Sequence, residues 1–265
     1  MRLVLTPHMD AEVIGMGGTI ALLSKAGYDV VVAYLTDGAG AFEGHVPEGE
    51  ERARYSGIRK EEARRALGVL GVRRPPVFLD FPDSRLDEFV PRAVDRVVEL
   101  ILETGAKVIY APHPDEYHPD HRATNRIARL AAWKAMYLRG RWIEHLYEYE
   151  VWPPMRSFTD VVNITDHVEL KRKALEVYAK GSTKHLNPDA PLALNMHRAF
   201  CFKNASASAL WLGRASAGMT SRKCVLPYSG TGAVSLVKRN TPGATSLGTH
   251  TTKSCSPNCH VMPGT

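Results

Sequence analysis

The chain has no run of about 18 apolar residues, the length needed to cross the hydrocarbon core of a bilayer, so no membrane span is expected. Met1-Arg2 leads directly into an apolar strand pattern, so no secretory leader is expected and a cytoplasmic location is the expectation. Cysteine is missing from the first 200 residues: Cys201, Cys224, Cys255 and Cys259 all lie in the last quarter, so the main body has no disulfide framework. Acidic residues are scarce or missing beyond about residue 206, where Ser, Thr and Gly dominate and neither a period of 2 nor one of 3.6 is sustained. That segment, 206–265, is expected to be irregular, as a disordered stretch or a non-native tail. Cys255, Cys259 and His260 have the spacing of half a zinc site, without a second cysteine pair near them. No Ser sits in a nucleophile-elbow pattern, and every Cys lies outside the motif region. Basic residues exceed acidic ones, giving a net charge of +6, but Lys and Arg are scattered through helical segments. This reads as a solvated basic surface and predicts no nucleic-acid partner.

What is present is an alternation of short apolar runs with amphipathic segments. Leu3 to Leu5 reads as a first strand, followed by a helical pattern to about Ala26. Asp29 to Leu35 is a continuous apolar run suited to a parallel strand buried on both faces, with Thr36 to Gly40 as its turn. After a polar loop, helical periodicity runs from about Glu51 to Leu70. A third strand is expected at Pro75 to Asp80, a helix at about Asp87 to Glu103, a fourth strand at Lys107 to Ala111 and a helix from His121 to about Leu138. Further strands are expected at Leu146 to Trp152 and Asp160 to Ile164, with a helix at His167 to Ala179. Four repeats of strand and helix predict an α/β fold, an open and mainly parallel sheet with helices on both faces and right-handed crossovers.

Two clusters carry the chemistry. The stretch Thr6 to Gly15, leaving the first strand, holds His8, Asp10 and Glu12. The stretch Pro112 to His121, leaving the fourth, holds His118, Asp120 and His121. Both fall where open α/β sheets keep their sites, at the C-terminal ends of strands. Imidazoles with carboxylates a few residues apart can ligate a divalent metal and hold a general base beside it.

These motifs resemble the LmbE/PIG-L family of zinc-dependent N-acetyl sugar deacetylases. The family's first motif, (A/P)-H-P-D-D-E-x-x-G-x-G-G, stands here as Pro7-His-Met-Asp-Ala-Glu-Val-Ile-Gly-Met-Gly-Gly18, and its H-P-D-H motif is intact at His118 to His121. Leu35-Thr-Asp-Gly38, Arg59 to Glu62 with Leu67-Gly68, and Phe81-Pro-Asp83 match secondary landmarks, so that the resemblance covers about residues 1–205. It implies a Rossmann-like domain over 1–205 that removes the N-acetyl group from an amino sugar or glycoside with Zn2+ or another divalent metal. It also implies His8 and His121 as metal ligands, Asp10 as general base, His118 as the group that stabilises the oxyanion or protonates the amine, and Asp120 as the residue orienting an imidazole. A small N-acetylated sugar is the expected partner, and self-association is left open.

Position 11 departs from this pattern, because the family's third ligand is an Asp and the residue here is Ala11. Three outcomes follow: Asp10 or Glu12 substitutes, the metal binds weakly with extra waters, or the protein is an impaired relative that still binds a glycoside or partner. Asp37 and Asp83, at strand ends, have the chemistry to bind sugar hydroxyls with Arg59 alongside, or to serve turns and helix caps. Asn195 to Phe200, with His197 and Arg198, is a stretch that closes over the site in one reading. A competing pattern is dinucleotide binding through Gly15, Gly17 and Asp37 in an oxidoreductase. Against it, Gly15 falls ten residues past Leu5, inside the expected helix, and position 20 is Ile.

Overall fold

A computed structural model describes residues 1–41, 47–201 and 209–214. The expected motif of Cys255, Cys259 and His260, and most of the 206–265 segment, lie outside the described residues. One sheet organises the chain, with strands β1 (Arg2–Thr6), β2 (Val30–Thr36), β3 (Val77–Phe81), β4 (Val108–Pro112), β5 (His145–Tyr149), β6 (Asp160–Asn163) and β7 (Ala209–Arg214) in the order β3-β2-β1-β4-β5-β7-β6. The strands from β3 through β5 in that order pair in parallel, and β7 runs antiparallel between β5 and β6. The order reverses between β1 and β4, and that reversal opens a crevice beyond their C-terminal ends.

The alternation of side chains along the strands divides the core in two. Val4, Val32, Tyr34 and Tyr110 pack with α1 (Ala11–Lys25), α2 (Gly49–Val69) and α5 (Val168–Ala179). Leu3, Leu5, Ala33 and Ile109 pack on the opposite face with α3 (Val90–Thr104) and α4 (Pro119–Arg139). Both faces of β1, β2 and β4 are covered, which is why β2 reads as an unbroken apolar run, whereas β3 at the sheet edge is partly exposed. Among the described residues, no helix is long and apolar enough to cross a membrane.

The glycines of the first motif serve packing. A Cβ at Gly15 would lie 2.6 Å from the Tyr149 ring, and one at Gly18 would lie 2.4 Å from Ile164. Only bare backbone lets α1 approach β5 and the end of β6 this closely. That contact also explains the glycine spacing without any phosphate to cradle.

Two elements were not expected. Asp189–Cys201 is a sixth helix, α6, opened by the Asn187 side chain accepting the Asp189 N–H. Its prolines, Pro188 and Pro191, fall at the start of the helix, where a missing N–H costs nothing. Ala209–Arg214, inside the segment expected to be irregular, forms β7, so the boundary drawn at 205 falls between α6 and a strand of the sheet.

Candidate active site

The first-motif loop leaves β1 and is anchored at every residue. Thr36 at the end of β2 binds the Pro7 carbonyl through both its N–H and its hydroxyl, each at 2.9 Å. The Thr6 hydroxyl donates to the His8 carbonyl. Asp10 then adopts a φ of 101°, a conformation that non-glycine residues rarely hold, just before α1 begins. Two groups stabilise this strain. The Asp10 N–H donates to Glu12 Oε2 at 3.0 Å, and the Arg59 guanidinium donates to the Met9 carbonyl and to Asp10 Oδ2.

The second motif enters α4 from β4, and His118 is the N-cap of that helix. Its ring meets the rings of His8 and His121 at centroid distances of 4.7 and 5.5 Å, and His8 lies 5.0 Å from His121. Three imidazoles from two loops a hundred residues apart are thus gathered in one place. Asp83 Oδ1 and Asp120 Oδ2 flank the cluster, 3.7 and 3.6 Å from His8 Nε2. Two groupings, His8 with His118 and His121, and His8 with Asp83 and Asp120, place their ligand atoms within 4.8 Å of one another.

The surroundings give each imidazole a different state. Nδ1 of His118 accepts the Asp120 N–H as a helix cap, so the network assigns the proton of the neutral ring to Nε2. Burial and the neighbouring His8 lower the His118 pKa to about 4, so the ring is neutral at ordinary pH. His121 has Nδ1 3.2 Å from Glu116 Oε2, an ion-pair distance without the alignment of a hydrogen bond, and the nearby carboxylate favours a proton on Nδ1 with the Nε2 lone pair open. Burial acts against a charged His8, but Asp83 and Asp120 outweigh it and the net direction is upward. Nε2 of His8 and Nε2 of His121 are buried and have no hydrogen-bond partner among the described residues. Orphaned imidazole nitrogens beside carboxylates are the donor set that a divalent metal such as zinc takes, so the residues present fit that ion.

The remaining expected residues are placed as follows. Asp120 is fully buried and staples the loop after β3, accepting Leu86 N–H at Oδ1 and Ser84 N–H at Oδ2. Asp83 accepts the Gly40 N–H. Asp37 is held by Arg52 through two hydrogen bonds and also accepts the N–H groups of Ala39 and Asp83. Arg59 is only 1% exposed, its guanidinium enclosed by Met9, Asp10, Ser182 and Thr183. Glu12 is fully buried, with Oε1 taking the Tyr178 hydroxyl at 2.6 Å and Oε2 the Asp10 N–H. Arg198 donates to Glu150 and to the Met155 carbonyl, which docks α6 against the segment after β5.

Glu116 is the residue that spacing did not single out. It is buried, it contacts His121 and His113, and it accepts the Val151 N–H at 2.7 Å. Burial alone would raise its pKa, but these contacts prevail and hold it at about 2. A Glu two residues ahead of an H-P-D-H run was the available signal; the partner loop at 151–152 was not visible in it.

Comparison with known proteins agrees with this geometry. Residues 3–132 match the family model PIG-L, described as GlcNAc-PI de-N-acetylase. Over 124 residues, 45% of this chain, the sequence is 37% identical to the diacetylchitobiose deacetylase of Thermococcus kodakarensis. Over 126 residues, 47% of this chain, it is 32% identical to a probable N-acetyl-alpha-D-glucosaminyl L-malate deacetylase of Bacillus cereus. The matches span 44% and 57% of the lengths of these two curated relatives. The fold is similar to that of the N,N'-diacetylchitobiose deacetylase from Pyrococcus horikoshii, with a TM-score of 0.66 at 24% identity over 81% of this chain and 83% of that one. With both His/Asp clusters inside the matched region, residues 3–132 of this chain belong to the PIG-L (LmbE-like) family.

Proposed function

We propose that the protein is a metal-dependent hydrolase that removes the N-acetyl group from an amino sugar or glycoside. The observation that carries this reading is the pair of buried, unpartnered Nε2 atoms of His8 and His121 beside Asp10 and a neutral His118. His8 and His121 would hold the ion, zinc by their donor chemistry, and when bound it supplies a Lewis acid that polarises the amide and acidifies water. Asp10 accepts the proton of the attacking water as its oxygen joins the acetyl carbon, and returns it to the nitrogen as the C–N bond breaks. Acetate and a free amine result. The Nε2–H of His118 donates to the carbonyl oxygen as negative charge develops there, a role that needs the neutral, Nε2-protonated ring fixed by the helix cap. Arg59 acts through Asp10, holding the strained loop that aims it, and does not itself meet the substrate. Asp37, paired with Arg52 and partly exposed, lies at the strand edge where sugar hydroxyls arrive.

The test is acetate release from N-acetylglucosamine and N,N'-diacetylchitobiose, with zinc and after chelation. Asp10→Asn is expected to lower kcat by about 10²–10⁴, the range for a lost general base, and to leave zinc affinity unchanged. Binding of the sugar without any turnover in the zinc-loaded wild type would favour the impaired, glycoside-binding relative. Ala11 is the observation behind that second reading, a methyl group only 1% exposed in place of the motif's carboxylate.

A further inference from the structure

We propose that Asp83 supplies the third protein ligand of the metal centre in this chain, the place that the methyl group of Ala11 leaves unfilled. The inference rests on the metal-dependent reading above and says which side chain completes it. Ala11 is buried in the core cluster with Met9 and Val13. The groups next to it are committed. Both oxygens of Glu12 are bonded, one to the Tyr178 hydroxyl and one to the Asp10 N–H. Asp10 is tied to Arg59 and is the only carboxylate of that loop left to act as a base. His118 offers no lone pair at Nε2, because ligation there would require a proton on Nδ1, which would then face the Asp120 N–H donor to donor. Asp120 spends an oxygen on each of two backbone amides, Ser84 at 2.6 Å and Leu86 at 3.0 Å.

Asp83 is placed differently. Its Oδ2 accepts the Gly40 N–H, which orients the carboxylate, while the hydrogen bond to Oδ1 comes from the Ser84 hydroxyl, a group free to turn away. Oδ1 lies 3.7 Å from His8 Nε2. Two ligand atoms on one tetrahedral zinc, each bonded at about 2.1 Å, lie roughly 3.4 Å apart. The loop is built to this approach, since a Cβ at Gly40 would stand 2.9 Å from the Asp83 carboxyl carbon. The electrostatics point the same way. Asp83, Asp120 and His8 keep their ligand atoms within 4.8 Å of one another, so two like charges share a nearly dry site that a cation would neutralise. An independent observation comes from His121, 1% exposed and with its ring centroid 5.0 Å from that of His8, which leaves its Nε2 without a partner. His8 is the residue that the two groupings share, and a centre of His8, His121 and Asp83 would draw one ligand from each loop around it.

X-ray absorption of the zinc-loaded wild type reads the ligand set without any substitution, and two imidazoles with carboxylate oxygen are expected. Calorimetric zinc titration then compares wild type, Asp83→Asn, Ala11→Asp and the double variant, with folding checked by circular dichroism. Asp83→Asn keeps the acceptor for Gly40 and is expected to weaken zinc by at least the ~10–100-fold seen when groups around a ligand are changed. Adding Ala11→Asp to it is expected to restore the affinity. Three imidazoles in the absorption spectrum, or wild-type affinity in folded Asp83→Asn, overturns the proposal. If wild type binds no zinc but Ala11→Asp does, Asp83 is not a ligand and the wider reading stands. If neither binds, the metal-dependent reading itself has failed.

Discussion

Glu116 shows how much of the site's chemistry is decided by residues that never meet the substrate. Its Oε2 lies 3.2 Å from His121 Nδ1 while its Oε1 takes the Val151 N–H, so one carboxylate fixes a ring and a loop together. Glu116→Gln preserves volume but presents an amide N–H to His121 in one orientation, moving the ring proton to Nε2, where the lone pair is needed. Zinc affinity is expected to fall by about 10–100-fold, and thermal stability to fall as well, because the contacts that hold the Glu116 pKa at about 2 stabilise its charge and the amide keeps only the Val151 contact. Nitrogen chemical shifts of the His121 ring check the tautomer directly, and an unchanged tautomer with unchanged affinity would remove Glu116 from the account. The sequence places His8, Asp10, His118, Asp120 and His121 on two loops because their spacing is local. It offers Glu12 as a substitute ligand and Arg59 as a sugar-binding group and is silent on Glu116, because the surroundings of all three depend on partners such as Val151, Thr183 and Tyr178 that only the folded chain brings near.

At the scale of elements, the legible part is the part whose pattern is set by burial on two faces. β1, β2 and β4 read correctly because a parallel strand covered on both sides must be apolar throughout, and α3 shows a clear stripe. β7 and α6 were not legible for the opposite reason. A strand that joins a sheet between β5 and β6 is specified by non-local pairing, and prolines near its start disguise α6. α1 is the element on which both fold and site depend, since its first turn follows Asp10 and its Gly18 abuts Ile164. Gly18→Ala places a methyl 2.4 Å from the buried Ile164 side chain, and overpacking of this kind costs about 1–3 kcal/mol. Helix propensity returns up to ~1 kcal/mol, so a net loss is expected in chemical denaturation, and a stabilised protein would show that the α1 contact is looser than described. Metal affinity is expected to fall with it if α1 shifts, which separates a moved helix from a local strain absorbed by Ile164.

For the whole molecule, α5 grips α1 with two buried ionisable contacts whose pH dependences run in opposite directions. Tyr178 donates its hydroxyl to Glu12, and Lys171 Nζ donates to the Ile14 carbonyl and to Asn195 of α6. Burial, partly offset by the Tyr178 hydrogen bond and reinforced by Asp10, raises the Glu12 pKa from 4.5 to about 7. The folded state therefore holds a proton that the unfolded chain has released, and this contribution, complete below pH 4.5, is lost as pH rises to about 7. Burial lowers Lys171 from 10.5 to about 7, with Glu150 opposing. There the unfolded chain holds the extra proton, so the contribution is complete above pH 10.5 and is lost as pH falls to about 7. Together the two groups place a minimum of stability near neutrality, Glu12 by at most about 3 kcal/mol and Lys171 by at most about 5 kcal/mol. Glu12→Gln, which can still accept from Asp10 and meet the Tyr178 oxygen, is expected to flatten the acid side of the profile. Lys171→Met should flatten the alkaline side, although Asn195 then loses a hydrogen-bond donor and part of the gain. Unfolding by urea from pH 4 to pH 10 measures both slopes. Identical curves for wild type and Glu12→Gln below pH 7 would mean that Glu12 is ionised in the fold, held by Tyr178 and the Asp10 amide strongly enough to offset its burial.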